Sequence, residues 1–147
     1  MTKDIIFNDD QNISNNKYPH FSSKLSCGFP SPAEDHIEKN ISLDELLIKH
    51  PAATFFIRAK GDSMINAGIH SDDILIVDRS SHPESGHVVV AAINGELLVK
   101  RLSIEKEHTT LIADNKEYKP IHIKKEDDLH IWGVVTNVIH SLNKKTC

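Results

Sequence analysis

Cysteine is scarce in this 147-residue chain: Cys27 and Cys147 stand near opposite ends and share no CxxC spacing. That excludes a disulfide framework and a thiolate zinc site, and it fits a reducing cytoplasm. No apolar run approaches the roughly 20 residues that cross a bilayer, and no charged-then-apolar leader opens the chain. A basic excess is missing too, with 17 Lys and Arg against 21 Asp and Glu and a formal charge of −4. Phosphate-backbone binders usually carry a basic face, so this balance argues against one. Lys144 and Lys145 are too few to reverse it and read as a solvated tail. The ten histidines scatter singly, without an HExxH or a His-x-His pair. Loop and strand-edge positions are expected for them, with no metal and no cofactor.

What is present suits one soluble domain with a sizeable core: 39% of residues are hydrophobic and 26% charged. Residues 1–40 differ from the rest. Asn8 to Asn12 and Ser14 to Asn16 are polar and aperiodic, and Pro19, Pro30 and Pro32 interrupt the remainder of that stretch. Such a segment buries too little apolar surface to offset its ordering entropy, so it reads as a flexible N-terminal arm. Phe21, Leu25 and Phe29 are apolar anchors within it. Ser42-Leu43-Asp44-Glu45 has the form of a capping box, and Leu43, Leu46 and Leu47 give a short helix that His50-Pro51 ends.

From Thr54 the pattern turns to strands. Thr54–Ala59, Asp73–Asp78, His87–Ile93, Glu96–Leu102, Thr109–Ala113, Ile121–Ile123 and Leu129–Ile139 are short apolar or alternating runs broken by turn residues. His87–Ile93 reads as a strand buried on both faces. Asn94-Gly95 between two such runs is the strongest hairpin signal in the chain, and Gly133 suggests a bulge. The fold class is mostly β, a partly open barrel or sandwich of antiparallel strands over 41–147 with one short helix.

Two segments carry chemistry. On the strand Leu97-Leu98-Val99-Lys100-Arg101-Leu102, Lys100 shares a face with Leu98 and Leu102, and Arg101 on the other face reads as an ordinary exposed charge. Desolvation by leucines disfavours the ammonium and lowers its pKa, as a general base near neutrality requires. In Gly61-Asp62-Ser63-Met64, glycine permits a tight turn whose amides at Asp62 and Ser63 can face a reacting carbonyl. A serine hydroxyl needs a neighbouring base, and a neutral lysine is one. Each motif alone is commonplace, and their conjunction is what counts.

Cys27-Gly28-Phe29-Pro30-Ser31-Pro32, Gly61-Asp62-Ser63-Met64-Ile65, Asp73 to Asp78, Val99-Lys100-Arg101-Leu102 and Gly133-Val134-Val135 occur here in one order. In that order and spacing the chain resembles the UmuD-like branch of the LexA-type self-cleaving serine peptidases, from about residue 25 to 139. The resemblance implies Ser63 as nucleophile, Lys100 as general base and the Asp62 and Ser63 amides as oxyanion hole. It implies Cys27-Gly28 as the cleaved bond and residues 28–147 as the processed form. Further implications are a homodimer, stimulation by a RecA–single-stranded-DNA filament, and a UmuC-like Y-family translesion polymerase as partner in SOS mutagenesis.

Other classes stay open on sequence. A self-cleaving repressor-like or anti-repressor regulator without a DNA-binding domain shares the cleavage, and a non-enzymatic β-rich binding module shares only the fold. A signal-peptidase-like enzyme also uses a serine and a lysine but is expected to carry a membrane anchor. The residues before the β-domain show no pair of amphipathic helices, which disfavours a helix-turn-helix and sequence-specific DNA binding. Tyr18-Pro19-His20-Phe21 is a weak candidate for docking on a sliding clamp, against the simpler reading of a disordered arm. Ile37–Leu47 and a sheet edge around Leu129–Ile139 are candidate dimer contacts.

Overall fold

The computed structural model describes residues 16–21, 24–28 and 37–143. These fall into two compact units that divide between Leu46 and Leu47. The Asn8–Asn12 tract, Phe29 to Pro32, Lys144, Lys145 and Cys147 lie outside the described residues.

In the first unit β1 (Tyr18–Phe21) pairs antiparallel with β2 (Ile37–Ile41), Tyr18 opposite Ile41. All four side chains of β1 are exposed. A strand with all its side chains exposed leaves no inside–outside alternation to read, which is why the sequence does not announce β1. Tyr18-Pro19-His20-Phe21 is thus a strand. Cys27 and Gly28 lie in the connection between the two strands, both exposed. After Ser42 comes α1 (Leu43–Leu47), opened by a 3.1 Å bond from Leu46 N–H to Ser42 C=O. Glu45 of this turn sits 3.7 Å from Lys17 Nζ.

The second unit is a seven-stranded antiparallel sheet, not closed into a barrel. Its strands are β3 (Thr54–Arg58), β4 (Ile74–Asp78), β5 (Val88–Ile93), β6 (Glu96–Glu105), β7 (His108–Ile112), β8 (Ile121–His122) and β9 (Leu129–Ile139), in the order β3-β4-β9-β5-β6-β7-β8. Asn94 and Gly95 make the two-residue turn between β5 and β6 with φ of 50° and 85°, the left-handed values that Asn-Gly adopts at little cost. Asn94 also binds Asp127 and Asp128, tying the turn to the start of β9.

β9 runs through the middle of the sheet, between β4 and β5, so its Leu129–Ile139 stretch is not the edge strand expected from sequence. Its length allows it to pair with β5 at one end and with β4 at the other. Trp132 is an extra residue opposite the Val90–Ala91 step, and the register passes from Ile131 to Gly133. That bulge brings Gly133 against β4, where an added Cβ would stand 2.7 Å from Val77 Cγ1 and 2.8 Å from Asp78 C=O. Only glycine fits so close a crossing.

Apolar side chains fill both faces. Ala59, Met64, Ile69, Leu75, Val77 and Val90 form one buried cluster, and Val89, Ala91, Leu102, Leu111 and Val134 form the other. The neighbours Val89 and Val90 belong to different clusters, so β5 is buried on both sides.

Candidate active site

The segment leaving β3 builds one wall of a cleft of about 210 Å³, and β6 builds the facing wall. Ser63 lies on the first wall and Lys100 on the second. Gly61 makes the turn with φ +87°, and its N–H donates to Ser71 Oγ at 3.2 Å. Met64, 3% exposed, plugs into the core beside Ser63 and accepts the Asp114 N–H on its sulfur at 3.3 Å. A single turn of 3-10 helix, Ile65–Ala67, then ends on Gly68 in the left-handed region. Ser63 is therefore a half-buried residue on a loop pinned from both sides.

Lys100 is only 8% exposed and stands opposite the fully buried Val89 on β5. Burial pushes its amine below the ordinary lysine value. Among the described residues no carboxylate pairs with it. The ring of Tyr118 stands over the amine, its centroid 5.4 Å from Nζ. A contact of that kind favours the ammonium by about 0.5–1 kcal/mol and opposes the burial effect without a full countercharge.

Ser63 takes part in no hydrogen bond with any described residue, Lys100 included. The two side chains share the cleft without touching through a hydrogen bond. Catalytic contacts in substrate-free sites are commonly long and tighten when substrate enters. The amides of Asp62 and Ser63 likewise donate to no acceptor among the described residues.

Three neighbours of the site were not apparent in the sequence. The Tyr118 hydroxyl donates to Asp62 Oδ1 at 2.5 Å, and Asn115 Nδ2 donates to Asp62 C=O at 3.0 Å. The bond to Asp62 holds the Tyr118 phenol above its ordinary pKa. Asp114 anchors the same loop by accepting the Asn66 N–H on its carbonyl at 2.9 Å. Nothing in a polar stretch such as Asp114-Asn115-Lys116-Glu117-Tyr118 signals a partner more than fifty positions upstream. Arg101 is corrected as well. Its register opposite Ile112 brings the guanidinium to Asp114, with Nη2 at 2.5 Å and Nε at 3.0 Å, and Nη1 donates to Gly86 C=O. It is a half-buried strut rather than an ordinary exposed charge.

Two histidines also depart from the scatter expected of them. His140 Nδ1 lies 2.5 Å from Asp73 Oδ1, and His70 Nδ1 lies 3.6 Å from Asp73 Oδ2. The spacing of 70, 73 and 140 matches no motif, so only the fold brings the three together.

The Peptidase S24-like family model matches residues 19–136. The chain belongs to this peptidase family, as a UmuD-like protein of the LexA type. It is 42% identical over 123 residues to Protein ImpA of Salmonella typhimurium, a match spanning 83% of each chain. To Protein SamA of Salmonella typhimurium (strain LT2) it is 43% identical over 122 residues, 83% of this chain and 84% of the relative. The LexA repressor of Caldicellulosiruptor saccharolyticus is 41% identical over 119 residues, which cover 81% of this chain but 57% of the repressor.

Proposed function

We propose that the chain is a self-cleaving serine endopeptidase that cuts its own Cys27–Gly28 bond, with Ser63 as nucleophile and Lys100 as general base. The supporting observation is that a half-buried serine and a desolvated lysine line one cleft in a member of a peptidase family. Neutral Lys100 takes the Ser63 proton, and Oγ adds to the Cys27 carbonyl carbon. The oxyanion meets the unengaged amides of Asp62 and Ser63. The intermediate collapses to a Cys27 ester as the bond to Gly28 breaks, and the ammonium of Lys100 returns the proton to the leaving amine. Water then hydrolyses the ester.

The substrate bond has the properties this scheme needs. It lies in an exposed connection, and a methyl group added at Gly28 would meet no atom of the described residues beyond its chain neighbours within 4 Å. The processed form, residues 28–147, acts as a homodimer and accessory subunit of a Y-family translesion polymerase in SOS mutagenesis, after stimulation by a RecA–DNA filament. A filament that favours the docked bond raises the rate by shifting population and contributes no catalytic group. The described residues before Leu47 form two strands and the start of one short helix, not a helix-turn-helix, so no sequence-specific DNA contact is assigned to them.

Intact mass measurement of the purified protein, with and without a RecA filament, tests the cleavage. A fragment starting at Gly28 is expected from the parent chain and absent from Ser63→Ala and Lys100→Ala. Its persistence in Ser63→Ala sinks the mechanism. Co-purification with a Y-family polymerase tests the partner separately.

A further inference from the structure

We propose that His70, Asp73 and His140 form a binding site for a first-row divalent cation, with zinc the best fit, held by the two Nδ1 atoms and the Asp73 carboxylate. The three residues offer ligand atoms that all lie within 4.8 Å of one another. Nitrogen and carboxylate donors in this number are what catalytic-type zinc sites use, with water completing the shell. A tetrahedral zinc with bonds of about 2.0–2.1 Å sets its ligands about 3.3 Å apart. His140 Nδ1 stands 2.5 Å from Asp73 Oδ1 and His70 Nδ1 3.6 Å from Oδ2, so the carboxylate faces both rings, and an ion held through one oxygen requires these side chains to adjust.

The site is built before any ion enters. Asp73 is 2% exposed, and its Oδ2 accepts the His70 N–H at 2.8 Å, closing a tight turn in which Asp73 N–H also returns to His70 C=O. Ile74 pairs with Ile139, which carries His140 to the same carboxylate. The two imidazoles lie face to face with centroids 4.4 Å apart and planes tilted by 34°. Both rings keep a solvent-facing part, which gives an ion a way in.

One observation distinguishes this from an ordinary histidine–carboxylate pair. The His140–Asp73 bond satisfies that pair alone, while His70 Nδ1 is buried and has no hydrogen-bond partner among the described residues. A buried polar atom without a partner is costly, and a cation between the rings and the carboxylate removes that cost. The ion takes the place of the proton shared by His140 and Asp73, and that proton passes to solvent. Binding would fasten the end of β9 to the turn before β4. That turn is bonded to Ala59 of the cleft wall through Asp72 N–H and Asp73 C=O. The proposal does not depend on the roles of Ser63 and Lys100.

The test uses the full chain, freed of metal by chelation and titrated with zinc chloride. Calorimetry should give one ion per chain, and His70→Ala and His140→Ala should each weaken binding by more than about tenfold. Nitrogen-15 histidine spectra of the unsubstituted protein should show His70 and His140 perturbed before the other histidines, which decides the matter even if a variant misfolds. No binding, unchanged affinity in both folded variants, or first perturbation at other histidines overturns the site.

Discussion

The Tyr118 hydroxyl donates a 2.5 Å hydrogen bond to Asp62 across fifty-six positions of chain. Asp62 directly precedes Ser63, the proposed nucleophile, so this contact is one peptide unit away from it. Tyr118→Phe keeps the ring over Lys100 and removes only the tether. Self-cleavage should slow by about tenfold, since misplaced groups cost that much or more, with the pH profile of the rate unmoved. An unchanged rate in a folded variant would show that the loop needs no such restraint.

Burial lowers the pKa of Lys100 because the ammonium loses hydration that the free amine does not need. The neutral fraction therefore rises as pH climbs through that lowered value. Formation of the Gly28 fragment should accelerate from neutral to alkaline pH and level off below the range of a solvated lysine. A flat or falling profile contradicts Lys100 as base.

Asp78 titrates at about 2, held down first by the Ser80 hydroxyl at 2.6 Å and next by His50 at 2.6 Å, against the upward effect of burial. A folded-state pKa below the unfolded value of 3.8 means stability that is present above about pH 4 and lost as pH falls toward 2. Denaturant midpoints of the parent protein should fall across that window. Asp78→Asn should be less stable at neutral pH and show a flatter decline, which urea titrations at several pH values will read.

Gly133→Ala should destabilise the fold by about 1–3 kcal/mol, because one of the two close contacts is backbone and cannot rotate away. Urea unfolding should show a lower midpoint with an unchanged slope. A midpoint equal to that of the parent would mean β4 and β9 separate freely at this crossing.

Local chemistry was legible in the sequence. Asn94-Gly95 named its own turn, Leu129–Ile139 gave the limits of β9, and the alternation around Lys100 placed a lysine among leucines. Gly133 marked the bulge that fell on Trp132 beside it. Non-local pairings were hidden. Asp114 looks like any polar loop residue until the fold sets it beside Arg101, and Asp73 like any strand-flanking acid until β9 delivers His140. The central place of β9 was hidden for the same reason, since an apolar strand does not state how many partners it has. In β1 the cause is different: a strand with every side chain in water leaves no pattern to find.

Val89 and Val90 face away from each other into separate apolar layers, and the first of them stands across from Lys100. A smaller side chain at Val89, the partner of Lys100 across the two strands, should loosen the packing around the lysine and let its pKa rise toward the ordinary value. Sculpting the interior there would retune the proposed base.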